Sequence, residues 1–248
     1  MNFKKRLVAL WFLSSLGAGL LLQPVRQRAV DEADAGNSLA SLSQGLGQGI
    51  TLAALGGYRN VAANFVWISM YGDWRYRLKE EVLEKMQLAV SLNPESVYFW
   101  VDGSRIIAND MPVWQVGDDF MESLFESEEG IEIRKAYGEQ ALAFLERAPE
   151  AMSQEIPILV EKAAICWQRL ADLDRALVFF KQAVQQEEVP NHICRVYAEI
   201  LVKNGQVREA YEYLKSHYAT LSDDDRTALK PFVARRIEAL GAQLGEGS

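Results

Sequence analysis

Histidine and cysteine are scarce in this chain of 248 residues, which contains two of each. Zinc in proteins is usually held by three or four closely spaced Cys, His or carboxylate ligands, and Cys166 and Cys194 stand alone in the sequence. We therefore predict no metal site. Both cysteines fall within helical patterns, where such a residue typically fills a core, although a disulfide between them stays open as the alternative.

The short motifs of common enzymes are also absent. The chain contains no GxSxG nucleophile motif, no GxGxxG motif and no GxxxxGK[ST] phosphate loop. The two histidines, His192 and His217, lie in different predicted helices, so the sequence places neither beside a nucleophile. We expect a protein that is not an enzyme and has no cofactor and no small-molecule substrate.

Positive charge is in deficit, because 26 Lys and Arg face 34 Asp and Glu and give a net charge of −8. This balance disfavours nucleic-acid binding. Strand-like alternation is scarce as well, and Asn204-Gly205 joins two helical patterns instead of two β-branched runs. From about residue 49 onward the sequence therefore predicts an all-α fold.

The N-terminal segment has the pattern of an export signal. Lys4, Lys5 and Arg6 precede an apolar run over residues 7–22. Because no convincing cleavage site follows, we favour an uncleaved anchor helix over residues 1–25, and a cleaved signal peptide is the alternative. The excess of positive charge before the run predicts that the N-terminus stays inside and the rest is extracytoplasmic. Residues 26–48 are predicted to be a flexible linker.

An internal repeat appears in the second half of the chain. ADLDRALVFFKQAV (171–184) aligns with GQVREAYEYLKSHY (205–218), and Ala176 and Ala210 are 34 residues apart. A 34-residue period with small and bulky residues on one helical face resembles the tetratricopeptide repeat, TPR. The resemblance implies a right-handed superhelix of antiparallel helix pairs, with about four repeats in residues 49–224 and an acidic insertion near 109–132. Residues 225–248 are expected to form a capping helix and tail, and Ser222 is predicted to cap that helix at its start.

The stretch LGGYRNVAANFVWISMYGDW (55–74) is predicted to be the first helix of this stack. Charged and amide residues exclude a membrane span. Two apolar faces predict burial on most sides; they are formed by Val61, Phe65, Ile68 and Gly72 and by Ala63, Trp67, Met70 and Trp74. Together with the later LNP and VYFW, the stretch resembles bacterial membrane-anchored TPR proteins with a Gly-Gly-aromatic-Arg segment. This resemblance implies a single-pass protein of the bacterial inner membrane with its repeats on the extracytoplasmic side.

The TPR resemblance also implies a concave groove lined by the first helix of each pair. The residues at the groove positions are Trp67, Tyr71, Trp74, Arg75, Tyr98, Arg105, Asn109, Glu161, Gln168, Arg169, His192, Arg195 and Lys203. Basic residues outnumber acidic ones in this set, so we expect an acidic or carboxylate-terminated peptide as ligand, held by arginines and an aromatic floor. The alternative is that the long arginine stems merely cover helix surfaces.

These features favour a membrane-anchored scaffold that mediates protein–protein interaction outside the cytoplasm. A non-catalytic subunit or assembly chaperone of a cell-envelope complex is the alternative function. The insertion near 109–132 contains eight acidic and no basic residues. One hypothesis is that it folds over the basic groove and occludes it, and a solvated loop is the simpler interpretation.

Overall fold

The computed structural model describes residues 57–117 and 122–245, and every regular element in them is helical, which confirms the predicted all-α class. The predicted anchor (1–25) and linker (26–48) lie outside the described residues. Within the described part, no helix is both long and apolar enough to cross a bilayer. The chain divides into two compact units, residues 1–93 and 94–248.

The described part of the first unit is a helical hairpin. Its helices are α1 (Arg59–Arg75) and α2 (Lys79–Leu92). Arg59, at the start of α1, donates a hydrogen bond of 3.1 Å to the carbonyl of Ser91 near the end of α2, and Asp73 pairs with Lys85 at the other end. These contacts show that the two helices are antiparallel. The residues buried between them include Ala62, Ala63, Val66, Met70, Val82, Met86 and Ala89.

The second unit begins with an interrupted helix pair. Its first arm is α3 (Val97–Arg105), a π-helical turn (Ile106–Asp110) and α4 (Met111–Val116). The short helix α5 (Ser123–Glu126) then precedes the second arm, α6 (Glu128–Glu146). Trp100 of α3 packs against Phe144 of α6 with ring centroids 5.1 Å apart. Ser127 caps α6 by accepting a 3.0 Å hydrogen bond from the backbone of Gly130, so this arm begins within the predicted insertion (109–132).

Two regular helix pairs follow. After the short helix α7 (Glu150–Ser153), they are formed by α8 (Ile156–Gln168) with α9 (Leu173–Val184) and by α10 (Asn191–Lys203) with α11 (Val207–Thr220). The second helices, α9 and α11, begin 34 residues apart. Ala176 and Ala210 are both fully buried, as are the bulky residues one turn later, Phe180 and Leu214. Small residues next to bulky ones allow the two helices of each pair to approach closely.

The unit ends with α12 (Lys230–Leu244), which packs beside α11. The prediction that this helix begins at Ser222 is wrong, because residues 222–229 form a turn that contains a 3₁₀ helix at Arg226–Ala228. The Asp225 carboxylate accepts hydrogen bonds from the Thr227 backbone (2.8 Å) and hydroxyl (2.7 Å). Such a local side-chain bond competes with helix formation and delays the helix start.

Candidate protein-binding surface on the first helices

Side-chain contacts between successive helix pairs of the second unit recur at a nearly constant sequence separation. Asn191 bonds Asp225 at 3.1 Å over 34 residues, and Arg175 pairs with Glu139 at 3.0 Å over 36 residues. Arg236 forms a bidentate pair with Glu199, with both distances 2.7 Å, over 37 residues. These contacts join α10 to the turn before α12, α6 to α9, and α10 to α12, so their separations are close to one repeat length although their positions in the helices differ.

Two further contacts span the insertion, and their sequence separations are longer by a similar number of residues. Arg105 bonds Glu161 over 56 residues and Arg169 bonds Asn109 over 60 residues, which exceed 34 by 22 and 26 residues respectively. These contacts link the interrupted arm of α3 and its π-helical turn to α8. The first helices thus remain neighbours despite the insertion.

Four of the mapped groove residues come together at this junction, and we call them the Glu161 cluster: Arg105, Asn109, Glu161 and Arg169. The Arg105 guanidinium donates through Nε and Nη2 to Oε2 of Glu161, at 2.8 Å in each case. Nη2 of Arg169 donates to Oδ1 of Asn109. Burial raises the pKa of the Glu161 carboxyl above its ordinary value, while Arg105 and Arg169 oppose this shift by stabilising the carboxylate.

A further arginine, Arg134 of α6, lies beside the cluster. Gly138 lies one helical turn after Arg134 and so shares its face, and a Cβ at Gly138 would be 2.9 Å from Cβ of Arg169. Burial lowers the pKa of Arg169, and the positive charge of Arg134 lowers it further. Within the described residues, Nε of Arg134 is buried without a hydrogen-bond partner. Arg105 and Arg169 therefore stabilise the Glu161 carboxylate, while the guanidinium of Arg134 lies 5.0 Å from the ring centroid of Phe125 and adds positive charge near Arg169.

The basic residues predicted on α10 do not join this group. Arg195 donates to the carbonyl oxygens of Thr227 (3.2 Å) and Ala228 (3.1 Å), so it holds the turn before α12. Nζ of Lys203 lies 5.4 Å from the ring centroid of Trp167, and His192 is exposed. His192 and Lys203 are eleven residues apart, or about 16 Å along a helix. They cannot both reach the ligand group that the Glu161 cluster would hold.

Three of the four predicted aromatic residues belong to the first unit. Trp67 is buried, with 3% of its surface exposed, because a bulky apolar residue on the inner side of a two-helix hairpin faces the partner helix. Tyr71 and Trp74 are partly exposed and form an edge-to-face pair with centroids 6.4 Å apart, and Arg75 is exposed. Tyr98, the second residue of α3 in the second unit, is exposed beside the buried Phe99.

Arg134 and Trp167 are parts of this surface that the sequence analysis did not single out. The glycine four residues after Arg134 is the signal that could have identified it, because a missing side chain at Gly138 lets α6 approach α8. Trp167 sits next to Gln168 on α8, and only the position of Lys203 on α10 reveals its role. Of the acidic insertion, residues 118–121 lie outside the described part, and the occlusion hypothesis is not tested there.

The two cysteines do not form a disulfide with each other. Cys166 and Cys194 are free and buried, and burial raises the pKa of the Cys166 thiol to about 11, which keeps it protonated at neutral pH. No three His, Cys, Asp or Glu side chains in residues 57–117 and 122–245 are grouped as metal ligands. No protein-family model, curated protein or solved structure matches this chain significantly.

Proposed function

We propose that this protein is a non-enzymatic, membrane-anchored scaffold of TPR-like helix pairs that binds an acidic segment of an extracytoplasmic protein. The observation that carries the proposal is the Glu161 cluster, where two guanidinium groups stabilise one carboxylate and Arg134 adds positive charge nearby. Contacts between pairs that recur near 34 residues support a TPR-like stack, and the apolar run at 7–22 supports the anchor.

The cluster provides donors that its own carboxylate does not use. A guanidinium carries five N–H donors, and Arg105 uses its Nε and Nη2 groups on Glu161 while its side chain is still 57% exposed. Glu161 thereby fixes the direction of Arg105 and keeps its outer edge toward solvent. A ligand carboxylate at that edge would form the charge-assisted, bidentate contact that arginine favours.

Local charge selects the ligand in this proposal. The chain as a whole is acidic, with a net charge of −8, so long-range attraction does not draw an acidic peptide toward it. Recognition then depends on contact with the guanidinium groups, where the charge of Arg105, Arg134 and Arg169 exceeds that of Glu161. Binding should weaken with added salt, because partly exposed charge pairs are screened.

The test begins with crosslinking and affinity capture of the full-length protein from membranes, followed by affinity measurements with the captured partner. Replacing Arg105→Ala should weaken binding by about tenfold, the effect of losing about 1.4 kcal/mol at a binding hot spot. Arg175→Ala is the matched control, because Arg175 also joins two helix pairs, through Glu139, but lies on a second helix.

Equal affinities for the two variants would contradict the proposed site. A partner that co-purifies stably in detergent, and does not exchange, would instead favour a permanent subunit or assembly chaperone of an envelope complex.

A further inference from the structure

Among the described residues, exposed large apolar side chains are concentrated in one segment, around α1. Of the thirteen large apolar residues that are exposed in the described part of the chain, eight lie between residues 58 and 78. These eight are Tyr58, Val61, Phe65, Ile68, Tyr71, Trp74, Tyr76 and Leu78. The other five are spread over the whole second unit. A patch of this density marks an interaction surface.

The centre of the patch is an aliphatic and aromatic stripe on α1. Val61, Phe65 and Ile68 follow one another at spacings of four and three residues, so they lie on one helical face. Their exposed fractions are 45%, 54% and 67%. Ala63 and Met70 of the same helix are fully buried in the hairpin core. The stripe therefore faces away from α2.

Amphipathic rings lie at both ends of the stripe, and an arginine lies at one end. Tyr58 is at its start, and Arg75 and Tyr76 are at its end, whereas Arg59 bonds Ser91 of α2 and Trp74 is on the side of α1 that carries Met70. Tyrosine and tryptophan prefer the level of lipid headgroups, where the ring is in apolar surroundings and its polar group reaches water. Arginine is attracted to anionic headgroups at the same level.

The charge of the hairpin differs between its two helices. Residues 57–78 contain three arginines and one acidic residue, Asp73, which is paired with Lys85 of α2. The exposed side of α2 carries Glu80, Glu81 and Glu84. A negatively charged surface is thus complementary to the exposed face of α1, and it would be repelled by α2.

We propose that the exposed face of α1 lies in the headgroup region of an anionic bilayer, with the helix axis along the membrane plane. The Val61–Phe65–Ile68 stripe enters the acyl boundary, and the flanking rings and Arg75 remain at the headgroups. A helix of 17 residues extends over about 26 Å, so one helix presents the whole patch at a single depth. This inference does not depend on the proposed peptide-binding site, which lies in the second unit.

The experiment uses the full-length protein in vesicles that contain phosphatidylglycerol. Cys166→Ala and Cys194→Ala remove the native thiols, and a spin label is placed at Ile68→Cys or, as the control, at Gln87→Cys on the exposed side of α2. The label at position 68 should collide more with oxygen, which partitions into lipid, than with a water-soluble nickel chelate. The label at position 87 should show the opposite preference. Phe65→Cys, nearly one turn earlier, provides a second reading of the stripe.

Comparing the two label positions separates insertion of α1 into the bilayer from tethering by a membrane anchor. An anchor would hold every labelled variant at the vesicle and would not make the two positions differ. Arg75→Glu, or vesicles of uncharged lipid only, should shift the label at position 68 toward the chelate. Chelate access at position 68 equal to that at position 87 would overturn the proposal. A label at position 68 shielded from both reagents would also overturn it, since another part of this chain, a second copy or a protein partner would then cover the stripe.

Discussion

The hairpin of α1 and α2 and the two regular pairs of the second unit have the same kind of packing between their two helices. They differ in how far their outer faces are exposed. Ala63 and Ala89 are fully buried in the first hairpin, as are Ala176 and Ala210 in the regular pairs. The outer face of α1, however, exposes Phe65, whereas α8 and α10 are covered by neighbouring helices. Small-to-bulky packing therefore defines the inner face of a helix pair and leaves the outer face undetermined.

Burial in these regions follows the packing of each helix within its own unit more closely than residue type. In α8 the charged residues Glu161 and Lys162 are 8% and 7% exposed, while in α1 the apolar Ile68 is 67% exposed. A helix with neighbours on several sides must bury some polar groups and satisfy them, as Arg105 does for Glu161. In the described part of the chain α1 packs mainly against α2, and it leaves apolar surface for another occupant.

The largest expected difference between the two regions comes from two phenylalanines. Phe180 is 2% exposed in α9 and Phe65 is 54% exposed in α1. Phe180→Ala should lower the free energy of unfolding by about 3–5 kcal/mol, since it leaves a cavity in the core. Phe65→Ala should change it by less than about 0.5 kcal/mol. Thermal or urea unfolding of the detergent-solubilised protein, followed by circular dichroism, measures both values.

A comparable loss from the two phenylalanine variants would break the comparison. It would mean that the outer face of α1 is covered by protein in solution, and the stripe would then be part of a core.

Two glycines give a second, smaller contrast. A Cβ at Gly138 would lie 2.9 Å from both Cβ of Arg169 and Cδ2 of Leu170, whereas a Cβ at Gly72 of α1 meets nothing within 4 Å. Gly138→Ala should destabilise the protein by about 1–3 kcal/mol through overpacking. Gly72→Ala should stabilise it by about 0.5–1 kcal/mol, because alanine favours a helix interior.

The same unfolding measurements test the two glycine variants, and opposite signs are the expected result. Destabilisation by Gly72→Ala would show that another group approaches the α1 backbone closely at this residue.

The sequence was sufficient to predict the helix pairs where the pattern is local. The period from Ala176 to Ala210 identified two second helices that begin 34 residues apart. It could not predict the start of α12, because the hydrogen bonds that Asp225 accepts from Thr227 compete locally with helix formation. Three aspartates after a serine are equally typical of a capped helix and of a turn.

The sequence predicted which residues belong to the candidate site, but it did not predict which of them lie close together. Groove positions identified Arg105, Asn109 and Arg169, and the structure brings them to one junction. Arg195 matched the same pattern, but it bonds the carbonyls of the turn before α12. Which partner a long arginine reaches depends on neighbours far away in the sequence, and a single-chain pattern holds no information on that choice.

The smallest expected effect is the pH dependence of stability that arises from the buried carboxylate of Glu161. The exposed carboxylate of Glu139 provides the comparison. Burial raises the folded-state pKa of Glu161, so above that pKa the ionised carboxylate lowers the stability of the folded protein. This destabilisation disappears as the pH falls from the folded-state pKa to the unfolded-state pKa, because the carboxyl group becomes protonated. Glu161→Gln removes this titration and keeps an oxygen that can accept from the partly exposed Arg105. The stability of the wild type relative to Glu161→Gln should therefore increase as the pH falls from neutral toward the ordinary pKa of a carboxyl group. Glu139→Gln, which alters the exposed pair with Arg175, should cost at most about 1 kcal/mol at neutral pH. If the stability of the wild type relative to Glu161→Gln instead decreased as the pH falls, the attraction of the arginines for the Glu161 carboxylate would outweigh the effect of burial. Glu161 would then neutralise the arginines, and the cluster would bind a ligand carboxylate only weakly.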